Sequence, residues 1–335
     1  MSTQSEYLAS PRGPRGAAQA APRGVLQVGD PIFRALATAC GLAVAAAMFG
    51  LTFVLVYRSW PAITGLGTKV LTTVEWSPSQ GQYGALTALT GTFLSTLVAM
   101  VIAVPLALVV ALLLVELVHP TIARVIGTAI EMLAAIPSII FGMVGIFVIV
   151  PFVQDRLYPW ILNTPLGDIP GIRPGATNVG GGVSIFTAGI VLAFMILPFI
   201  TAVSRDVLGM VPQVTKEAGY GMGSTTSEVL GKISLRYANS GIVGAVFIGL
   251  GRALGETMAV AFLIGSVYAQ MPHSLFDPGT SIASLIANTF NEATETIHVA
   301  ALIELGLILF LITVLFQVLA QIWLRRVQKA TGGRA

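Results

Sequence analysis

Six apolar stretches, each long enough to cross a bilayer, constrain this chain more than any motif does. They run over about 36–57, 86–116, 126–152, 184–203, 241–268 and 299–324. The hydrocarbon core is about 30 Å thick, and a helix rises about 1.5 Å per residue, so about 20 apolar residues suffice to span it. Only 10% of the 335 residues are charged and 55% are hydrophobic. A water-soluble domain usually carries about 25% charged residues, so this chain lacks the polar surface to cover a soluble core. The fold class that follows is an all-α membrane protein with six transmembrane helices. Pro105, Pro137 and Pro198 fall within the second, third and fourth stretches. Proline is tolerated there because neighbouring helices re-satisfy the freed carbonyls, and it marks kinks.

Lysine and arginine set the orientation. With both ends inside, cytoplasmic segments carry thirteen of them and external loops carry four, Arg58, Lys69, Arg156 and Arg173. That asymmetry predicts cytoplasmic termini. The tail over 1–35, with its Pro-Arg-Gly repeats, is expected to be disordered, and 326–335 to be a short cytoplasmic tail. The first apolar stretch exceeds the about 7–15 residues of a signal-peptide core, so it reads as a retained anchor. The loop 154–182 is rich in proline and glycine and lies outside, as a connector or a partner contact. One cysteine, Cys40, excludes an internal disulfide or a thiolate cluster. His119, His273 and His298 are far apart, and no nucleophile sits beside a base.

Three features carry chemistry. The first is the cytoplasmic segment 204–239. A helix is expected from Pro212 through Ala218; Gly219, Gly221 and Gly223 interrupt it, and a capping box, Thr225 with Glu228, starts a second short helix. A helix–glycine–helix unit between two spans suits a docking surface, or a plain connector. The second is Gly-Arg-Ala-Leu-Gly-Glu-Thr, 251–257, in the fifth stretch. An arginine at mid-membrane costs about 2.5–3.5 kcal/mol, and Glu256, four residues on, is expected on the same helical face to offset it. Such a pair either locks helices or marks a pathway. Gly251 and Gly255 suggest a close helix–helix contact; a nucleotide-binding reading fails because no strand precedes them. The third is the acids near span ends. Glu116 and Glu131 flank a short turn in which Arg124 is available to pair with either. Glu304, near the external end of the last span, has no such simple reading.

Glu217-Ala218-Gly219, three residues, Gly223, nine residues, Ile233-Ser234-Leu235 resembles the EAA loop, E-A-A-x3-G-x9-I-x-L-P, of binding-protein-dependent ABC importer permeases. Gly219 replaces the second alanine and Arg236 the proline. The resemblance implies that this loop forms the coupling helices that sit in a groove of an ATPase. The run 249–260, Gly-Leu-Gly-Arg-Ala-Leu-Gly-Glu-Thr-Met-Ala-Val, is similar to the signature of the phosphate-importer permeases PstC and PstA. Glu131-Met-Leu-Ala-Ala-Ile-Pro-Ser, 131–138, Ile196-Leu-Pro-Phe-Ile and Ser204-Arg205-Asp206 match their helices as well. Of the two sister kinds, the N-terminal helix and long second external loop favour PstC. The likeness covers about 85–325.

The resemblance implies a type I importer core in a bacterial plasma membrane. It also implies a second, PstA-like permease, a dimer of PstB-like ATPase subunits and an external PstS-like phosphate-binding protein, and no nucleic acid. Arg252 and Glu256 are then expected on the phosphate path; Glu217, Ala218, Gly219, Gly223, Ile233 and Leu235 are expected to couple to the ATPase. The chain has no P-loop, so it is expected to hold no cofactor, with ATP bound by the partner and no catalytic site of its own. A permease for sulfate or molybdate, or a membrane scaffold that transports nothing, are the alternatives.

Overall fold

The computed structural model describes residues 26–173 and 181–330. The expected disorder over 1–35 falls largely outside them. The chain divides into two compact units, Met1–Val54 and Leu55–Ala335. Helix α1, Leu26–Leu66, supplies the described part of the first unit and opens the second. In the first unit its apolar side chains, Phe33 and Phe49 among them, stand exposed. An apolar helix with every backbone group bonded internally is the form lipid accepts.

In the second unit the chain continues through α2, Lys69–Thr72, and a short antiparallel pair, β1 Trp76–Ser77 with β2 Gln82–Tyr83. It then runs through α3, Leu86–Leu117, α4, Pro120–Ala134, α5, Ser138–Leu162, and α6, Ile185–Gly209. After α7, Gln213–Gly221, come α8, Thr226–Leu254, α9, Met258–Leu263, α10, Ile282–Thr289, and α11, Thr296–Ala330. Among the described residues six helices are long and apolar enough to cross a membrane: α1, α3, α5, α6, α8 and α11. This is an all-α, multi-pass membrane protein.

The core is the seam of α3 against α6. Ala99, Ala103, Ala107 and Ala111 of α3 recur every fourth residue and are wholly buried. Spacing of four keeps them on one helical face, and side chains this small let two helices approach closely where no hydrophobic driving force acts between them. Leu192, Met195, Ile196 and Ile200 of α6 fill the other side. Pro105 and Pro198 stay inside α3 and α6. Pro137 acts differently: it ends one helix and begins the next. The expected third span over 126–152 is therefore two elements, α4 and the membrane-length α5, joined through Ala135–Pro137. Proline disfavours helical geometry in the residue before it.

A second cluster gathers Trp76, Tyr83 and His298, with ring centroids 5.3–6.0 Å apart. Burial, with the Glu295 carboxylate nearby, pushes the Tyr83 phenol above its usual range.

Candidate functional site

The segment joining α6 to α8 is built as two helices around a glycine turn. Pro212 caps α7 and Thr225 caps α8, where Glu228 Oε2 accepts from the Thr225 N–H at 3.1 Å. At the end of α7, Gly223 adopts φ +83°, and two hydrogen bonds close the turn: Ser224 N–H to Gly219 O at 3.2 Å and Gly223 N–H to Tyr220 O at 2.9 Å. This is a Schellman end, and it places a left-handed residue where glycine fits without penalty.

The faces of α7 divide sharply. Val214, Ala218 and Met222, four residues apart, point outward with Glu217; Val214 is 75% exposed and Met222 82%. Lys216 and Gly219 point inward and are buried. A Cβ built on Gly219 would lie 2.5 Å from Ile233 Cδ1 and 3.3 Å from Val229 Cγ2. Glycine in place of the motif's second alanine therefore lets α7 seat on the first turns of α8. Ile233 and Leu235 are half-buried, and α8 continues past Arg236 as helix. The six expected coupling residues thus share one two-helix element, with Glu217, Ala218 and Gly223 on its open side.

Four ion pairs occur among the described residues, and all four involve this loop or its approach. Lys216 Nζ lies 2.6 Å from Glu116 Oε1, with both side chains about nine-tenths buried, at 9% and 10% exposure. Ser234 Oγ donates to the same Oε1 at 3.1 Å. Arg205, near the end of α6, pairs with Glu131 of α4 and with Asp206, and Gly127 leaves room for its guanidinium. Lys232 and Glu228 pair in the open, one turn apart. Glu116 and Glu131 therefore take Lys216 and Arg205, not Arg124. These partners lie 100 and 74 residues away, so spacing along the chain could not show them.

The second candidate region differs from the expectation in its backbone. The fifth apolar stretch, 241–268, is not one helix: α8 enters from residue 226 and stops at Leu254, and α9 starts at Met258. Arg252 and Glu256 are thus on two sides of a break rather than on one helical face, and no ion pair joins them. The Arg252 guanidinium is exposed and sits 5.8 Å from the centroid of the Phe199 ring of α6. Such a contact over an aromatic face is attractive by about 0.5–1 kcal/mol at an exposed site. Glu256 Oε1 instead accepts from the Ala259 N–H at 3.3 Å, at the start of α9. An acid there meets backbone donors that lack a helical partner. Gly251 and Gly255 do not form one packing face. Gly251 approaches Gln317 of α11, and it is Gly249 that lies against Ile200 of α6; Gly255 only ends the helix.

Glu304 of α11 is buried, and its Oε2 has no hydrogen-bond partner among the described residues. No group of His, Cys, Asp and Glu among them could hold a metal ion.

Residues 103–329 match the family described as the binding-protein-dependent transport system inner membrane component. The phosphate transport system permease protein PstC of Pasteurella multocida is 48% identical over 83% of this chain and 86% of its own length. That of Mesorhizobium japonicum is 42% identical over 90% and 92%. Among solved structures, a chain of a bacterial alginate ABC transporter, in complex with an alginate pentasaccharide-bound periplasmic protein, aligns over 90% of this chain and 98% of its own. Its TM-score is 0.58 at 15% identity, a likeness of fold. By sequence and by architecture, the chain belongs to the binding-protein-dependent transport system inner membrane components, in the group of the PstC permeases.

Proposed function

We propose that this chain is a transmembrane permease subunit of an ATP-driven phosphate importer, forming one wall of the translocation path and coupling it to a separate ATPase. The observation that carries the reading is the 48% identity to a phosphate permease over 83% of the chain. That span includes both the loop with its exposed α7 face and the helix end that carries Arg252.

Arg252 supports the anion path. A bare guanidinium within a membrane-spanning helix is costly in lipid, so in the assembly it faces a partner or water. Its charge cannot be neutralised by burial as a lysine's can, and its planar fork matches phosphate oxygens. The ring of Phe199 holds it when no anion is present. A contact of that strength is weak enough to yield to an arriving anion, as passage requires. Glu256, bound to the start of α9, places a negative charge near the same break and keeps the site from holding its cargo.

The outward face of α7, Val214, Glu217, Ala218 and Met222, is the docking surface for the ATPase, whose groove would cover these apolar side chains. ATP binding closes an ATPase dimer and draws the loops of two permeases together; the pair then opens outward to an external phosphate-binding protein, and hydrolysis returns it inward. The partners are a PstA-like permease, PstB-like ATPases and a PstS-like binding protein, and both termini lie in the bacterial cytoplasm. The chain itself binds no ATP and catalyses nothing.

The test is labelled-phosphate uptake by vesicles holding this chain with its second permease, ATPase and binding protein, with sulfate and molybdate as competitors. Uptake that needs ATP and ignores both competitors is the expected result. Competition by either anion at equal concentration would overturn the phosphate assignment.

A further inference from the structure

We infer that Glu116 is a positioning residue that ties the docking loop to α3, and that this tie carries the motion of the ATPase into the transmembrane core. The inference rests on the proposed role of the α7 surface.

The tie joins three elements distant in sequence. Glu116 lies at the loop-side end of α3, Lys216 on the inward face of α7, and Ser234 in the first turns of α8. Both Glu116 and Ser234 sit in π-helical turns, Leu113–Leu117 and Val229–Ser234. A π turn inserts an extra residue and re-aims side chains, and such turns recur at functional positions. Here the two turns meet at Glu116 Oε1, which also takes Lys216.

Among the ion pairs of the described residues, this one alone has both side chains about nine-tenths buried; the Arg205–Glu131 pair is 23% and 50% exposed, and Lys232–Glu228 more so. Exposed pairs contribute little. A buried pair pays desolvation that apolar packing would avoid, so stability is a poor reason for one to be here. Geometry is a better reason. α7 is nine residues long and carries the docking face on one side and Lys216 on the other. A displacement of α7 therefore reaches Glu116 through the Lys216 contact, while Ser234 holds the same carboxylate from α8. From Glu116, α3 carries it along the alanine seam to α6. The covalent chain alone connects α7 only to α6 and α8. The ion pair adds α3, which lies about 100 residues earlier.

The experiment uses the complete complex in vesicles and reads phosphate taken up per ATP hydrolysed, alongside the amount of complex recovered. Glu116→Gln is expected to leave assembly and ATP hydrolysis in place while uptake per ATP falls roughly 2- to 30-fold, the range open to a residue that carries coupling between sites. Glu116→Asp keeps the charge but shortens the reach by one methylene, and is expected to lose coupling as well. The double variant Glu116→Gln with Lys216→Met restores charge balance without the tie and is expected to stay uncoupled. Uptake per ATP at the unaltered level in Glu116→Asp, or its recovery in the double variant, would overturn the inference. If Glu116→Gln fails to assemble, Glu116→Asp and Ser234→Ala read the same ratio. The unaltered complex serves as the control for the proposed function: no phosphate uptake there would overturn that reading rather than this one.

Discussion

Gly219 and Ile233 form the contact on which the turn between α7 and α8 closes: a Cβ on Gly219 would lie 2.5 Å from Ile233 Cδ1. Gly219→Ala gains up to about 1 kcal/mol of helix propensity. It also overfills a buried contact, at a cost of about 1–3 kcal/mol. The single change is therefore expected to lower recovery of the complex with its ATPase. Adding Ile233→Val removes the colliding methyl and should restore it. Co-purification of the ATPase with each variant measures this, and additive losses in the pair would contradict the contact.

Gly223 has no neighbour within 4 Å of a built Cβ, but its φ is +83°. Bulk is thus not what this position forbids within the chain; its backbone geometry is. Gly223→Ala is expected to cost about 1–2 kcal/mol of loop stability. Gly223→Asn should cost less, because asparagine visits the left-handed region more readily. Proteolysis at the loop in the isolated chain, ranked alanine fastest, then asparagine, then glycine, is the expected result. Equal rates for alanine and glycine would refute the turn assignment.

Because α8 ends at Leu254, Arg252 and Glu256 are not a mutually compensating pair. Arg252→Gln is expected to abolish phosphate uptake with the complex present in normal amount. The double change with Glu256→Gln should be equally inactive, and Arg252→Lys should retain part of the activity, lacking the planar fork. Phe199→Leu removes only the ring contact, about 0.5–1 kcal/mol, and should reduce uptake about two- to fivefold. Recovery of uptake in the double variant would establish the ion-pair role instead.

The thirteen-to-four distribution of Lys and Arg, counted with both ends inside, predicts cytoplasmic termini. A reporter active only there should be on when fused after Ala335 and off when inserted within 163–173. The opposite pattern would invert the protein and put α7 on the wrong side for an ATPase.

What the sequence determined by itself was whatever depends on local composition and spacing. Membrane residence and the number of spans follow from apolar runs measured against bilayer thickness, a length that does not depend on how helices pack. The two-helix loop was equally legible, since a capping box and a glycine that must take a positive φ act within a few residues. Pro137 and the 251–257 run were harder. Hydropathy does not register where a helix stops inside an apolar stretch, so α4 merged with α5 and α8 with α9. Helical spacing then put Arg252 and Glu256 on one face that the backbone does not provide. Tertiary structure alone decided the partners of Glu116 and Glu131. Lys216 meets Glu116, and Arg205 meets Glu131, because α3 and α4 are packed beside α6. Such pairings depend on which helix ends the packed bundle brings together, and spacing along the chain carries no trace of it.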